Sequence, residues 1–231
     1  MASNISVIVT ARNEADRIGT TLAALALAFP GAPAWVADDG STDDTPEIAR
    51  RCGARVVRVE RAIGKGGAAT RAAGDALGQA RLDAGDTDGE QIFILCDGDL
   101  SESAKELGPL AEAIRRGEAD IAVAGFSRRV GGGVGLAIAF ARWAIRRRCG
   151  LRTGAPISGQ RALRARTLAD VLPFADGFGM EVGMTIDAVR AGYRVAEIEL
   201  DLSHRATGRT LAGFAHRGQQ FVDFARVYRA R

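Results

Sequence analysis

Ile92-Phe93-Ile94-Leu95-Cys96-Asp97-Gly98-Asp99 decides how the rest of this 231-residue chain reads. A short apolar run without interruption is the pattern of a strand covered on both faces. Here it runs straight into two carboxylates separated by one glycine. Open α/β sheets bind ligands at the carboxyl ends of their strands, so Asp97 and Asp99 emerge where a ligand would be held. Gly98 permits a tight turn and keeps a side chain out of the space between them. Hard cations such as Mg2+ and Mn2+ take oxygen ligands, commonly one or two carboxylates together with substrate phosphates. An acidic surface turn is the other reading of an isolated Asp-x-Asp, and its neighbours in the chain have to choose.

Outward from that stretch the same unit, a strand followed by a polar turn, recurs. Asn4 to Thr10 reads as a first buried strand ending in Ala11-Arg12-Asn13-Glu14, with a helix behind it carrying Ile18, Leu22, Leu25 and Phe29 on one face. Trp35-Val36-Ala37 is a short second strand ending in Asp38-Asp39-Gly40-Ser41-Thr42-Asp43. Thr45 is placed to cap the next helix, with Pro46 at its first position. Ala54 to Val59 is a third strand, followed by Gly64-Lys65-Gly66-Gly67 and a helix of small residues through Ala80. Residues 81–90 read as a surface loop. Past the central strand, Ser103-x-x-Glu106 has the form of a capping box for a helix with Leu107, Leu110 and Ile114 inward. Ile121 to Ala124 is a fifth strand. Strands alternating with helices at this spacing predict an α/β, Rossmann-like, doubly wound parallel sheet with flanking helices. In such a sheet the four polar turns share one rim. One acidic turn is noise; four on a rim make a site.

The second half is less regular. Gly131-Gly132-Gly133 reads as a joint, and Leu136 to Arg148 as a helix with Leu136, Phe140 and Trp143 on one face. Ala155-Pro156-Ile157-Ser158-Gly159-Gln160 precedes a helix near 166–172, and Asp176-Gly177-Phe178-Gly179-Met180-Glu181 opens another carrying Val182, Ile186 and Val189. A last strand covers Arg194 to Leu200. Ser203-His204-Arg205 follows, then a final helix with Leu211, Phe214, Phe221, Ala225 and Tyr228 in one stripe.

Composition sets the limits. With 47% hydrophobic and 26% charged residues the chain is ordinary for a globular protein. No apolar run approaches the ~18 residues of a membrane span. Cys52, Cys96 and Cys149 lack metal or disulfide spacing and read as small buried residues in a reducing cytoplasm. The net charge of +3 hides a segregation: residues 1–125 carry 13 Lys and Arg against 20 Asp and Glu, and residues 126–231 carry 18 against 8. The acidic half holds the Asp-x-Asp; the basic half is suited to phosphates or an anionic surface.

A divalent cation beside a cationic, glycine-rich helix start is equipment for holding a diphosphate. The Gly64 turn is not a P-loop, because Lys65 is followed by glycine. Taken together, Val-Ile-Val-x-x-x-Asn-Glu (7–14), Asp38 to Asp43, Gly64-Lys65-Gly66-Gly67-Ala68 and Asp97-Gly98-Asp99 resemble the family-2 nucleotide-sugar glycosyltransferases of the GT-A fold. The likeness extends over nearly the whole chain as one domain, residues 1–125 being the nucleotide-sugar and metal half and 126–231 the acceptor half. Its polyprenyl-phosphate and glucosyl-3-phosphoglycerate branches are the most similar, the second through residues 155–210.

The resemblance implies roles. Thr10, Arg12 and Glu14 would line the nucleoside pocket, where the family usually has proline and an aromatic at the first two positions. Asp39, with Asp38 beside it, would meet base or ribose; Lys65 would sit near base or diphosphate. Asp97, next to Gly98, would touch ribose or sugar. Asp99 would ligate Mn2+ or Mg2+, with His204 completing the metal shell. Glu181 would serve the acceptor side as general base or by orienting the sugar; a helix N-terminal acid favoured by the macrodipole is its other reading. The expected partners are a nucleotide-diphosphate sugar, UDP-sugar favoured, and a phosphorylated acceptor. No nucleic acid is expected. Peripheral contact with the inner face of a membrane and a homodimer are compatible with the pattern. A nucleotidyltransferase or a non-catalytic nucleotide-binding module would share the metal site, glycine turn and lysine. The first expects its basic glycine-rich loop directly after strand one, where Arg12-Asn13-Glu14 stands; the second expects the Asp-x-Asp to be lost.

Overall fold

In the computed structural model, residues 4–84, 91–126, 136–202, 227, 228, 230 and 231 are described. The apolar stretch read first is β4 (Ile92–Asp97), fully buried from Ile92 to Cys96 and central to a seven-stranded sheet. The other strands are β1 (Ile5–Ala11), β2 (Ala34–Asp38), β3 (Arg55–Arg58), β5 (Ile121–Phe126), β6 (Arg161–Arg164) and β7 (Val195–Leu200). Their spatial order is β3-β2-β1-β4-β6-β5-β7. The helices are α1 (Ile18–Ala28), α2 (Thr45–Arg51), α3 (Lys65–Ala84), α4 (Gly108–Arg115), α5 (Leu136–Cys149), α6 (Ala165–Asp170) and α7 (Met180–Arg190).

Alternating side chains of the central strands go to opposite faces, and both faces are covered. Val7, Val9, Ile94 and Cys96 pack with Leu22, Leu25, Leu110 and Ile114 from α1 and α4. Ile8, Phe93 and Leu95 pack on the other side with Ala68, Ala69, Ala72, Ala73 and Ala76 of α3, with Met180 and Met184 of α7 behind. Five alanines let α3 lie close against the sheet.

The α/β, mostly parallel arrangement matches the expectation, with one exception. β6 pairs antiparallel to both β4 and β5. Arg161-Ala162-Leu163-Arg164 is four residues long and opens and closes on arginine, so nothing in it resembles a buried strand. Its reversed direction puts its amino end, not its carboxyl end, at the rim where β4 delivers Asp97.

Several local expectations are corrected. Thr45 does not cap α2 but is its first residue: its Oγ1 accepts from Glu14 N at 2.7 Å, and Asp43 Oδ1 accepts from Thr45 N at 3.1 Å. Ser103 donates to Leu100 O at 2.6 Å inside a 3-10 turn, Ser101–Leu107, so the expected capping box does not open α4, although Leu107, Leu110 and Ile114 are inward as expected. α3 continues to Ala84, through the start of the expected loop. In α5 the buried face is Ala141, Ala144 and Ile145, and Leu136 and Trp143 are exposed. The small residues win because they admit Val182 and Ile186 of α7 into the same cluster. Gly131 to Gly133, His204, Arg205, and Leu211, Phe214, Phe221 and Ala225 lie outside the described residues; Tyr228 is helical, its ring 4.8 Å from that of Trp143.

Candidate active site

The chain lays down β1, β2 and β3 in one direction and then crosses to β4 on the far side of β1. The crevice at such a reversal, outside the carboxyl ends of the strands, is where open α/β sheets bind ligands. Thr10 and Asp97 are register partners at that point, and Thr10 Oγ1 donates to Asp97 Oδ1 at 3.0 Å. Gly98 continues the pairing by donating to Thr10 O at 2.9 Å. A Cβ on Gly98 would lie 3.2 Å from both Thr10 O and Ala11 Cβ, so its task is to fit against β1.

The four polar turns are sewn to one another. Asn13 N donates to Ser41 Oγ at 2.9 Å, and Asn13 Oδ1 accepts from Thr42 N at 2.9 Å. Asp38 is fully buried, accepts from Ser41 N at 3.2 Å and faces Arg58 Nε at 3.2 Å, so it holds its own turn. Asp39 Oδ1 accepts from Ile63 N at 2.7 Å and Gly64 N at 3.0 Å, joining the second turn to the start of α3. Arg12 lies on the first turn with its side chain exposed.

Lys65, the first residue of α3, ties the third turn to the fourth and to the other half of the chain. Its Nζ is 2.6 Å from Asp97 Oδ1 and 2.6 Å from Glu181 Oε1. Glu181 is buried at the start of α7. Burial works against the lysine's charge, but Asp97 and then Glu181 outweigh it and hold its pKa well above lysine's usual range. Asp97 is affected in the same way: burial raises it, and Lys65, Thr10 and Gln160 together bring it below the usual carboxylate range. Two glycines make this possible by close approach. A Cβ on Gly66 would meet Ala175 O at 1.9 Å, and one on Gly159 would meet Asp97 Oδ2 at 2.6 Å and Lys65 Nζ at 2.7 Å.

Asp99 stands at the outer lip with its side chain 30% exposed, 3.8 Å from Arg17 Nη1. Arg17 Nη2 also pairs with Glu14 Oε2 at 2.5 Å. Burial raises the Glu14 pKa; Arg17 opposes the rise and Asp99 adds to it. Among the described residues no cluster of three His, Cys, Asp or Glu side chains is assembled to cage a metal. One accessible carboxylate of hard oxygens fits a Mg2+ or Mn2+ ion that draws its other ligands from phosphate oxygens and water. His204 lies outside the described residues.

Thr10, Glu14, Asp38, Asp39, Lys65, Asp97, Gly98, Asp99 and Glu181 are thus gathered at one rim. Four neighbours carried no assigned role in the sequence. Gln160 Nε2 donates to Asp97 Oδ2 at 2.8 Å. Gly159 leaves room for that contact, Arg17 bridges Glu14 toward Asp99, and Arg161 is buried behind. The Ser-Gly-Gln triplet was visible as a motif, but only the antiparallel direction of β6 brings it to Asp97.

A mostly parallel α/β sheet with an Asp-x-Asp and a helix-start lysine at its switch point defines a GT-A-type domain. The chain belongs to the glycosyl transferase family 2, which its residues 6–162 match. A glycosyltransferase of Mycobacterium tuberculosis, itself uncharacterized, is 30% identical over 96% of this chain and 97% of its own length. Undecaprenyl-phosphate mannosyltransferase of Micrococcus luteus is 29% identical over 96% and 93%. Glucosyl-3-phosphoglycerate synthase from Mycobacterium tuberculosis, solved in complex with Mn2+, UDP-glucose and phosphoglyceric acid, aligns with a TM-score of 0.70 at 28% identity, covering 98% of this chain and 80% of that one.

Proposed function

We propose that this chain transfers a sugar from a nucleotide-diphosphate donor, with UDP-sugar favoured, to a phosphate-bearing acceptor, and that it uses Mn2+ or Mg2+. The observation that carries the reading is the Lys65 ammonium at the switch point, between a carboxylate from each half of the chain. The mycobacterial synthase, crystallised with Mn2+, UDP-glucose and phosphoglyceric acid, supports both the donor and the phosphorylated acceptor.

Thr10, Arg12 and Glu14 line the nucleoside side. Asp39 presents the second turn to base or ribose, and Asp38 acts from behind by holding that turn. Lys65 offers its cation near the diphosphate, Asp97 meets ribose or sugar, and Glu181 takes the acceptor proton or orients the acceptor. Asp99 would hold the cation with His204 as a further ligand; when bound, the ion neutralises diphosphate charge as the leaving group departs.

Two acceptor settings are compatible with this rim. A lipid phosphate is favoured by α5, which exposes Leu136, Ile138 and Trp143 beside Arg142, Arg146 and Arg147. Basic amphipathic helices of this kind lie in the headgroup region of anionic bilayers. No helix among the described residues is long and apolar enough to cross a membrane.

The test is a thermal-shift screen of UDP, GDP, ADP and TDP with and without Mn2+. UDP-glucose or GDP-mannose turnover follows, with 3-phosphoglycerate, glycerol 3-phosphate, or undecaprenyl phosphate in anionic liposomes. UDP stabilisation that requires Mn2+ is expected. Absence of any metal-dependent nucleotide effect refutes the reading, a GDP preference moves the donor to a GDP-sugar, and failure to sediment with anionic liposomes at low salt removes the lipid setting.

A further inference from the structure

Among the described residues the largest fully buried side chain is a charged one, Arg161. It opens β6, opposite Leu95 on one side and Val123 on the other, in the layer where those residues and Leu163 pack. Taking a guanidinium out of water is expensive, and apolar replacement of buried charges is often neutral or stabilising. Burial lowers its pKa to about 10 against the pull of Glu181 and Glu197, so it remains charged at neutral pH. Nη2 has no hydrogen-bond partner in the described structure, which adds to the cost. Stability alone gives no reason for an arginine here.

Among the described residues both of its hydrogen bonds lead to the rim. Nε donates to Ser158 O at 2.9 Å. Ser158 Oγ in turn donates to Gln160 Oε1 at 3.2 Å, which orients the amide so that Nε2 faces Asp97. Nη1 donates to Thr185 Oγ1 at 2.9 Å, and that hydroxyl in turn donates to the Glu181 backbone O at 2.8 Å. One rigid fork therefore grips the turn that supports Asp97 and the helical turn that presents Glu181. A lysine in its place would bring a point charge without the two directions.

We propose that Arg161 is a positioning residue that sets, from behind the site, the Ser158–Gln160 turn and the Glu181 carboxylate relative to each other. This rests on the reading of Glu181 as the acceptor-side carboxylate. The arginine touches no substrate; it acts through Glu181 and Gln160.

The experiment compares Arg161→Met, Arg161→Lys, Glu181→Gln and the Arg161→Met/Glu181→Gln double variant with the donor and acceptor that turn over in the screen above, while calorimetry follows UDP binding with Mn2+. Arg161→Met should lower kcat about 100-fold, the scale of a misplaced reacting group. Its UDP affinity and donor KM should change far less, by no more than about fivefold, because among the donor contacts only Asp97 is loosened and those on β1, β2 and α3 are intact. Arg161→Lys should remain at least about tenfold down despite keeping the charge. Because the arginine acts through the carboxylate, the double variant should be no more than about threefold slower than the slower single one, the non-additivity of residues in one unit. Losses that multiply, or wild-type kcat in Arg161→Met or Arg161→Lys, overturn the proposal. If the Arg161 variants do not fold, Thr185→Val cuts the link to α7 alone, and unchanged kcat there overturns it equally. Full turnover in Glu181→Gln, where Arg161 is untouched, refutes the reading of Glu181 itself and removes the inference with it.

Discussion

Replacing Lys65 with methionine should cost stability, and more of it at pH 8 than at pH 5. The ammonium lies 2.6 Å from one oxygen of Asp97 and 2.6 Å from one of Glu181. Once it is gone, two carboxylates no more than about 5 Å apart face each other; at an effective dielectric near 20 their repulsion is ~3 kcal/mol. The milder dielectric is appropriate because the side chains of Lys65 and Asp97 are 24% and 28% exposed, although that of Glu181 is only 5%. For a chain of this size ~3 kcal/mol corresponds to a melting-temperature loss of about 6–12 °C. Repulsion of that size favours a proton on one of the two carboxylates, so the folded variant takes up protons more readily than its unfolded chain. A raised folded-state pKa contributes stability that appears as pH falls, so the variant should regain about half its deficit between pH 8 and pH 5.

The wild-type pair should be flat over that window. The depressed pKa of Asp97 gives stability that is complete above about pH 4 and lost only in stronger acid. The raised pKa of Lys65 gives stability that is complete below about pH 10 and lost only in stronger alkali. Glu14, also raised, is present in both proteins and cancels in the difference. Thermal melts of both at pH 5 and pH 8 measure the effect, and Lys65→Met/Glu181→Gln should recover most of the loss at pH 8. A deficit equal at the two pH values, or no deficit at pH 8, refutes the reasoning.

Asp99→Ala should abolish Mn2+-dependent UDP binding by calorimetry and leave the melting temperature within about 2 °C, since the side chain is at the lip and its ion pair with Arg17 is long. Gly66→Ala should destabilise the fold by at least about 1–3 kcal/mol in urea titration, because its Cβ would meet the Ala175 carbonyl at 1.9 Å. Gly74→Ala on the same helix, with nothing within 4 Å, should instead stabilise by about 0.5–1 kcal/mol.

The first half of the fold was readable because β1, β2 and β4 are apolar runs ending in polar turns, and because parallel strands put those turns on one edge. Lys65, Asp97 and the aspartates could be nominated on that pattern alone. Their partners could not. Asp38 and Asp39 look alike in sequence, yet one holds its own turn and the other holds the start of α3, a distinction made by a register that no local pattern encodes. The second half resisted for a different reason: β6 is short, begins and ends on arginine, and runs backwards, so neither its existence nor the delivery of Gln160 follows from periodicity. In α5 the large apolar residues do not mark the buried face, because close helix packing selected alanines.

The alanine seam under α3 makes that helix a ruler. Its 20 residues form a rod about 30 Å long, with the ammonium at its first residue. Where that charge stands is then fixed by how near the rod lies to the sheet at points such as Ala72, about 10 Å down its axis in the apolar core. A bulkier residue there would tilt the rod and carry Lys65 away from both carboxylates. The spacing between Lys65 and its two carboxylates is set partly by the smallest side chains of the chain, at positions no inventory of polar residues would include.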